Sequence, residues 1–347
     1  MRKITILAIG DSADFDSFKK FDKEKRFISS KGFDYVAIDY KAIFKKCHLD
    51  VTSKKVIVVT FFPFEYWDKH VECKKYKGLY GNLLFLKKFS RFCDDVSSRV
   101  KDLLPGKEIE FVNNPKLTSA YRDKVVAMGK LSKAGVKVPP RINAKSVKGI
   151  KSLLSCGKKI YVKPRCGSMG KGITYLTEDR WQTNFTVKSG KIVQRCSDYG
   201  WKFKDITGDT KFLKSLVRGD FIMEEAVSPC NIGDNKIDLR VYACFGKVLY
   251  IYPRKNSIHA VTTNISQGGK GSPAILKKLP KATLDKVERQ VRKTMRALNL
   301  NFAGIDVILD KDLKNAYVID VNMFPGFPKR RTHNLARDII CQLRKSF

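Results

Sequence analysis

The sequence predicts a mixed α/β (α+β) chain whose first third is a small parallel-sheet region, and three observations predict it. In residues 1–114 the apolar, strand-like runs "KITILAIG", "DYVAIDY" and "KVIVVTFF" alternate with polar, helix-compatible stretches. That alternation is the signature of parallel strands joined by helical crossovers. Further along, the glycine-rich "RCGSMGKG" lies between two strand-like runs, "KIYVKP" and "ITYL". Near the end, two apolar runs each carry an acid, Asp306 in "GIDVIL" and Asp320 in "YVIDVN", followed by Asn322 and a Pro-Gly turn.

Composition narrows the class. At 347 residues with 43% apolar content, the chain has enough material for two or three packed units. No apolar run approaches the roughly 20 residues that span a bilayer. The opening "MRKITILAIGDS" is basic then apolar, but "ITILAIG" is short and lacks a small-residue cleavage site. It reads as a first buried strand and not as a signal peptide, and the chain as cytoplasmic. Nine cysteines without a CxxC pair, and four histidines, read as reduced thiols packed as small apolar side chains. The outlier is a net charge of +35, from 69 Lys and Arg against 34 acids. Such a field attracts anions. The lysines form no tract, so a lysine-rich surface explains the charge equally well and no partner follows from it.

The elements after residue 114 follow in order. Within "NNPKLTSAYRDKVVAMGKLSKAGVKVPP", Thr118 or Ser119 is expected to cap a helix from about Ala120 to Lys133, with Gly135 near its end. A strand follows "VKVPP", then a helix around Val147–Ser155, the glycine-loop unit, a strand "KIVQRC" and a helix "DTKFLKSLV". Near Phe221 a third region begins with "FIMEEAV", "IDLRVYACFG" and "KVLYIYPRKNS", continues into a helix around Leu284–Leu298, and ends with the acidic pair. The expected division is therefore 1–114, 115–220 and 221–347. The aromatic "FFPFEYW" reads as a loop or strand end packed in its local core.

Two constellations carry chemistry. The loop bearing Gly167, Ser168, Gly170 and Gly172 is neither a Walker A loop nor a dinucleotide fingerprint. With Lys163, Arg165 and Lys171 around it, it reads as a cationic flap whose backbone N–H groups approach phosphate oxygens. A hairpin turn needing positive φ explains the same residues, and the loop alone leaves both readings open. Asp306, Asp320 and Asn322 are hard oxygen donors. Residues 320 and 322 share a strand face, and oxygen-only ligation suits Mg²⁺, whose charge would offset the cost of burying carboxylates.

In this order the motifs resemble the ATP-grasp superfamily. "YVKPRCGSMGKGI" is similar to its phosphate flap, and "FIMEEAV" to the strand and hinge that receive adenine and ribose. "DLRVYACFGKVLYIYPRKNS" followed by "TNISQGG" resembles the ribosomal-protein glutamate ligases and related amino-acid ligases, and "FAGIDVIL…YVIDVNMFPGF" the metal-binding strand pair. The likeness covers Pro115 to Lys329. It implies two α+β lobes clamping ATP behind a small N-terminal α/β domain. It further implies that Lys124 and Lys163 contact the ATP phosphates, with Lys163 also near adenine. Gly167, Ser168, Gly170 and Gly172 would close over the phosphates, and Glu224, Glu225, Ala226 and Val227 would line the adenine and ribose site. Arg240 and Arg254 would face the γ-phosphate, Asn264 would add a polar contact, and Asp306, Asp320 and Asn322 would hold Mg²⁺.

The activity so implied is an ATP-dependent carboxylate–amine ligation through an acyl phosphate. It would use ATP and one or two Mg²⁺ ions, with Mn²⁺ able to substitute, on an acidic small-molecule or peptide substrate. No membrane partner is expected, nucleic acid is disfavoured for want of an RRM, KH or zinc-finger signature, and a homo-oligomer is compatible with the sequence. Many of these ligases carry Glu at the place of Asp320. Asp occurs there in the inositol phosphate kinases, which share the fold and a similar "IDIN-x-FPG" run, so phosphorylation of a polyphosphorylated alcohol is the alternative. A third reading, a basic scaffold with a degenerate nucleotide site, rests on charge alone.

Overall fold

The computed structural model describes residues 3–11, 16–45, 47–73, 78–193 and 200–347; Cys196 and the end of "KIVQRC" lie outside them. The first sheet comprises β1 (Ile4–Gly10), β2 (Phe33–Asp39), β3 (Lys55–Thr60) and β4 (Glu108–Phe111), in the order β2-β1-β3-β4, all parallel. Every residue of β1 is buried. A strand covered on both faces needs apolar residues at successive positions, which is why "ITILAIG" shows no alternation.

The second sheet is antiparallel: β5 (Arg141–Ile142), β6 (Ile160–Pro164), β7 (Thr174–Leu176), β8 (Trp181–Thr183), β11 (Lys204–Asp205) and β12 (Phe221–Glu225), in the order β11-β8-β7-β6-β12-β5. A separate hairpin, β9 (Thr186–Lys188) and β10 (Lys191–Val193), lies between β8 and β11 in sequence. The third sheet, also antiparallel, runs β16 (Lys270–Gly271), β15 (Lys247–Ser257), β14 (Asn235–Cys244), β17 (Phe302–Leu309) and β18 (Ala316–Asn322), with β13 (Asn231–Ile232) on β14.

Three placements differ from the sequence reading. The division at 220/221 puts Phe221–Glu225 with the third sheet, yet β12 pairs with β6 and β5 of the second. Burial periodicity tells which face of a strand is covered, not which sheet the strand joins. The expected helix from Ala120 is two helices, Pro115–Ala120 capped by Asn114 and Lys124–Lys133 capped by Asp123, whose carboxylate accepts from the Val125 amide at 2.9 Å. Thr118 and Ser119 are buried inside the first of these helices and cap nothing. The later helix starts at Lys281, after Pro280.

The helices Lys124–Lys133 and Lys281–Leu298 cover one face of the third sheet, where Leu239, Val241, Ala243, Ile305, Val307 and Val318 are buried. Strand alternation then turns Asp238, Arg240 and Asp306 to the opposite face. A second core joins β1 and β3 and the helix Leu83–Leu103 to β6, β7 and the helix Thr210–Val217. The last helix, Leu335–Ser346, packs in a third core with Ile6, Ile57 and Tyr242. Among the described residues no disulfide forms, and no helix is long and apolar enough to cross a membrane.

Candidate active site

A cavity of ≈ 900 Å³ opens between the second and third sheets, and elements from all parts of the chain line it. On the third sheet the register sets Arg240 beside Asp306 and Asp306 beside Asp320, so one guanidinium and two carboxylates form a row across β14, β17 and β18. Asn322 lies opposite Gly304, one step along the same face. The row exists because β18 is bulged: Asp306 pairs with Asp320 but Val307 pairs with Val318, leaving Ile319 as the extra residue. Strict alternation would turn Val318 and Asp320 to one face. The extra residue lets Val318 enter the core while Asp320 reaches the cavity.

Each carboxylate has a cationic partner. Arg240 donates to both oxygens of Asp306, from Nε at 2.5 Å and from the terminal nitrogen at 3.0 Å, and Arg254 lies 3.0 Å from the same carboxylate. Arg254 also forks onto Asp238, donating from Nε at 2.7 Å. Lys124, the first residue of its helix, reaches Asp320 at 2.6 Å. Burial alone would raise the Asp306 carboxyl, but Arg240 and Arg254 outweigh it and hold it below the usual carboxylate range. The cost of burying Asp306 is thus met in the protein by two arginines. Sequence reading assigned that offset to a metal.

Arg240 lines the cavity, but Arg254, 5% exposed, lies outside its lining and acts on it through Asp306 and Asp238. Asp238 was not singled out from the sequence. Its signal was "IDLRV", an acid two residues before Arg240 in an apolar run and so on the same face.

The second sheet faces this row. Lys163 on β6 donates to Glu224 on β12 at 2.6 Å, and Glu225 pairs with Lys158 at 2.7 Å. The amides of Glu225 and Ala226 donate to the Pro140 and Lys159 carbonyls at 2.8 Å, so the Glu224–Val227 segment is held on the cavity wall. Between β6 and β7 the glycine loop spans the mouth. Gly170 and Gly172 adopt φ +68° and +71°, and a Cβ at Gly172 would come within 2.6 Å of both Phe185 and Pro164. Gly170 meets Asn264 as closely, and Ser266 donates to the Met169 carbonyl at 2.8 Å, so the loop rests on the third sheet's 263–269 segment. Gly167, Ser168 and Gly170 line the cavity; Gly172 sits outside it as a turn residue.

The cationic character expected around the loop is largely spent elsewhere. Arg165 forks onto Asp123 with two bonds of 2.7 Å, and Lys171, 2% exposed, pairs with Glu72 at 2.7 Å. The Ser168 amide donates to the Tyr80 hydroxyl. Glu72 and Tyr80 lie in the first region, where no site residue had been read, and they latch the loop to it. "FFPFEYW" also does more than fill a core, since Phe62 and Phe64 line the cavity.

The donor set at Asp306, Asp320 and Asn322 fits a hard divalent cation. Asn322 Nδ2 is buried without a hydrogen-bond partner among the described residues, which leaves the amide free to turn its oxygen to a cation. Asp306 spends three of its roughly four lone-pair sites on arginine. Among the described residues no cluster of three His, Cys, Asp or Glu forms, so ligation would be completed by Asn322 and by oxygens from outside the protein.

Lys236 also lines the cavity, donating to the Ala260 and Val261 carbonyls, and burial pushes its pKa down to about 8. Both folded and unfolded chains carry this charge below pH 8. Between about 8 and the unfolded value near 10.4 only the unfolded chain binds the proton, so stability rises with pH. The unfolding free energy of wild type minus that of Lys236→Met is therefore expected to increase over this window, by at most about 3 kcal/mol. Urea denaturation at stepped pH measures it, and a flat difference contradicts the placement.

A family model described as YheC/D like ATP-grasp matches residues 113–344. No curated protein matches the chain. Solved structures share the fold at low identity. An ATP-grasp ligase from Chryseobacterium gregarium, in complex with ADP and a leader and core peptide, has 12% identity and TM-score 0.59, covering 100% of this chain and 98% of its own. A macrocyclase from Microcystis aeruginosa bound with a precursor peptide has 13% identity and TM-score 0.58, covering 99% and 100%. The D-alanine–D-alanine ligase of Bacillus anthracis has 14% identity and TM-score 0.52, covering 100% and 99%.

Proposed function

The chain belongs to the YheC/D-like ATP-grasp family, and from that premise we propose that it is an ATP-dependent carboxylate–amine ligase of the cytoplasm, acting on an amino acid or peptide. One observation carries the reading: the row Arg240–Asp306–Asp320, with Lys124 on Asp320, faces Lys163 and the glycine loop across a single cavity. Paired charges of this kind can exchange partners, the cations passing to phosphate oxygens and the carboxylates to a metal. The likeness of "DLRV" and "TNISQGG" to the ribosomal-protein glutamate ligases and the peptides held by two structural neighbours support the substrate class.

ATP would lie with its base at Glu224–Val227 and its phosphates between Lys163, the loop and the acidic row. A bound Mg²⁺ at Asp306, Asp320 and Asn322 would neutralise phosphate charge. Lys124, Lys163 and Arg240 steady the phosphate oxygens while a substrate carboxylate oxygen attacks the γ-phosphorus and ADP departs. The amine nitrogen then attacks the acyl carbon, loses a proton and expels phosphate. The loop, latched to Glu72 and Tyr80, excludes water that would hydrolyse the acyl phosphate.

Incubation with Mg²⁺-ATP, a carboxylate panel and hydroxylamine is expected to yield hydroxamates with matching ADP release. ADP release that requires a phosphorylated alcohol, without hydroxamate, would establish the kinase alternative instead.

A further inference from the structure

Three consecutive residues open the helix Lys124–Lys133, and two of them are accounted for. Asp123 caps the helix and holds Arg165; Lys124 reaches Asp320. Arg122 has a different setting. Its guanidinium carbon lies 4.2 Å from the Trp67 ring centroid, 5.1 Å from Phe89 and 5.5 Å from Phe62. Among the described residues no acid lies within ion-pair distance of it and no atom accepts a hydrogen bond from its side chain. Lys124, Lys163, Lys171, Arg240 and Arg254 are each paired with a carboxylate. Arg122 lines the same cavity, half-buried, with its donors unspent.

The side chains that box it in are packed and have partners of their own. Trp67 is 3% exposed and donates from its indole nitrogen to Glu72, which also holds Lys171 of the loop. Phe62 packs edge-on against Phe324, two residues beyond Asn322. The box therefore adjoins the acidic end of the cavity, away from the Glu224–Val227 wall. The Arg122 nitrogens remain open to the cavity and none is sealed from water. The aromatic floor covers a face of the guanidinium and leaves the edge donors open, in the geometry that takes two coplanar oxygens.

We propose that Arg122 is the receptor for the substrate carboxylate, and that Phe62, Phe64, Tyr121 and Phe324, which line the cavity with it, select carboxylates carried on an apolar or aromatic framework. The proposal rests on the ligase reading above for the carboxylate's fate, and on the aromatic box alone for its binding. It narrows the expectation of an acidic substrate to a carboxylate that has an apolar flank.

The test is calorimetric titration of the full chain, saturated with Mg²⁺ and AMPPNP, with N-acetyl-L-phenylalanine, L-glutamate and methylphosphonate. N-acetyl-L-phenylalanine is expected to bind best. Its affinity should fall about 10- to 100-fold in Arg122→Met, the loss expected of a charge-assisted fork. Arg122→Lys should recover part of it. AMPPNP affinity should stay unchanged in both variants, and both should melt cooperatively. Equal affinity in wild type and Arg122→Met reduces Arg122 to a packing cation and overturns the proposal. So does preferential binding of methylphosphonate or L-glutamate, or binding of no carboxylate at all. Failure of wild type to bind AMPPNP counts against the nucleotide site; the same titration without nucleotide then still reads the carboxylate site.

Discussion

Asp306→Asn is expected to lower turnover by about 10²–10³-fold or more, the scale seen when one preorganised charge is removed from a phosphoryl- or acyl-transfer site. Asp306 is the centre of the row: it is 5% exposed, holds both Arg240 and Arg254, and stands opposite Asp320. An amide keeps the shape and loses the charge. It offers one acceptor oxygen where the two guanidinium groups now use both carboxylate oxygens, and it donates toward arginines that cannot accept. Hydroxamate yield and ADP release at saturating Mg²⁺-ATP read the loss of turnover. Near-native rates in a folded Asp306→Asn protein would remove the acidic row from the mechanism. Asp306→Glu, which keeps the charge but moves it, should fall between the two.

Arg254→Met is expected to lower the unfolding free energy by about 3–5 kcal/mol, the cost of leaving one member of a buried pair uncompensated. The Arg254 side chain is 6% exposed and that of Asp238 2%. Methionine fills most of the volume but returns no donors, so Asp238 loses its fork and Asp306 one of two cations. Urea denaturation at neutral pH measures the loss. Adding Asp238→Asn should restore part of the stability, since neutralising both partners removes the buried charge; an additive double mutant would deny the coupling. The sign with pH follows from Asp306. Its pKa is held below the usual carboxylate range, so the stability it confers is complete at neutral pH and is lost in acid as pH falls through the folded value.

Much of the lining of the candidate site was legible because it consists of short motifs. Lys124, Lys163, Gly167, Ser168, Gly170, Glu224 to Val227, Arg240, Asn264, Asp306, Asp320 and Asn322 were all named from sequence, and all line one cavity. Gly172 and Arg254 were named with them and lie outside the lining, one as a turn and one as a buried partner of two acids. A glycine needed for φ and a glycine needed for a ligand's approach look alike in sequence. Arg122, Glu72 and Tyr80 were missed for the converse reason. Each is placed by contacts remote in sequence, as Glu72 is by Lys171 and Arg122 by Trp67, and no local pattern marks such a meeting; Asp238 had a local signal in "IDLRV" that was passed over.

From its sequence alone came the α/β alternation of the first region, through periodicity, and the residues of the glycine loop and the acidic motif, whose order carried the resemblance to the ATP-grasp superfamily; all of these are properties of neighbours along the chain. Tertiary structure alone decided that β12 joins the second sheet, that an extra residue at Ile319 turns Asp320 to the cavity while Val318 enters the core, and that two arginines balance Asp306. It also decided that Arg122 lies on three aromatic rings from the first region, with no hydrogen-bond acceptor among the described residues. The physical reason is common to all four. Register, charge pairing and desolvation depend on which distant segments meet, and alternation along one strand carries no record of the strand beside it.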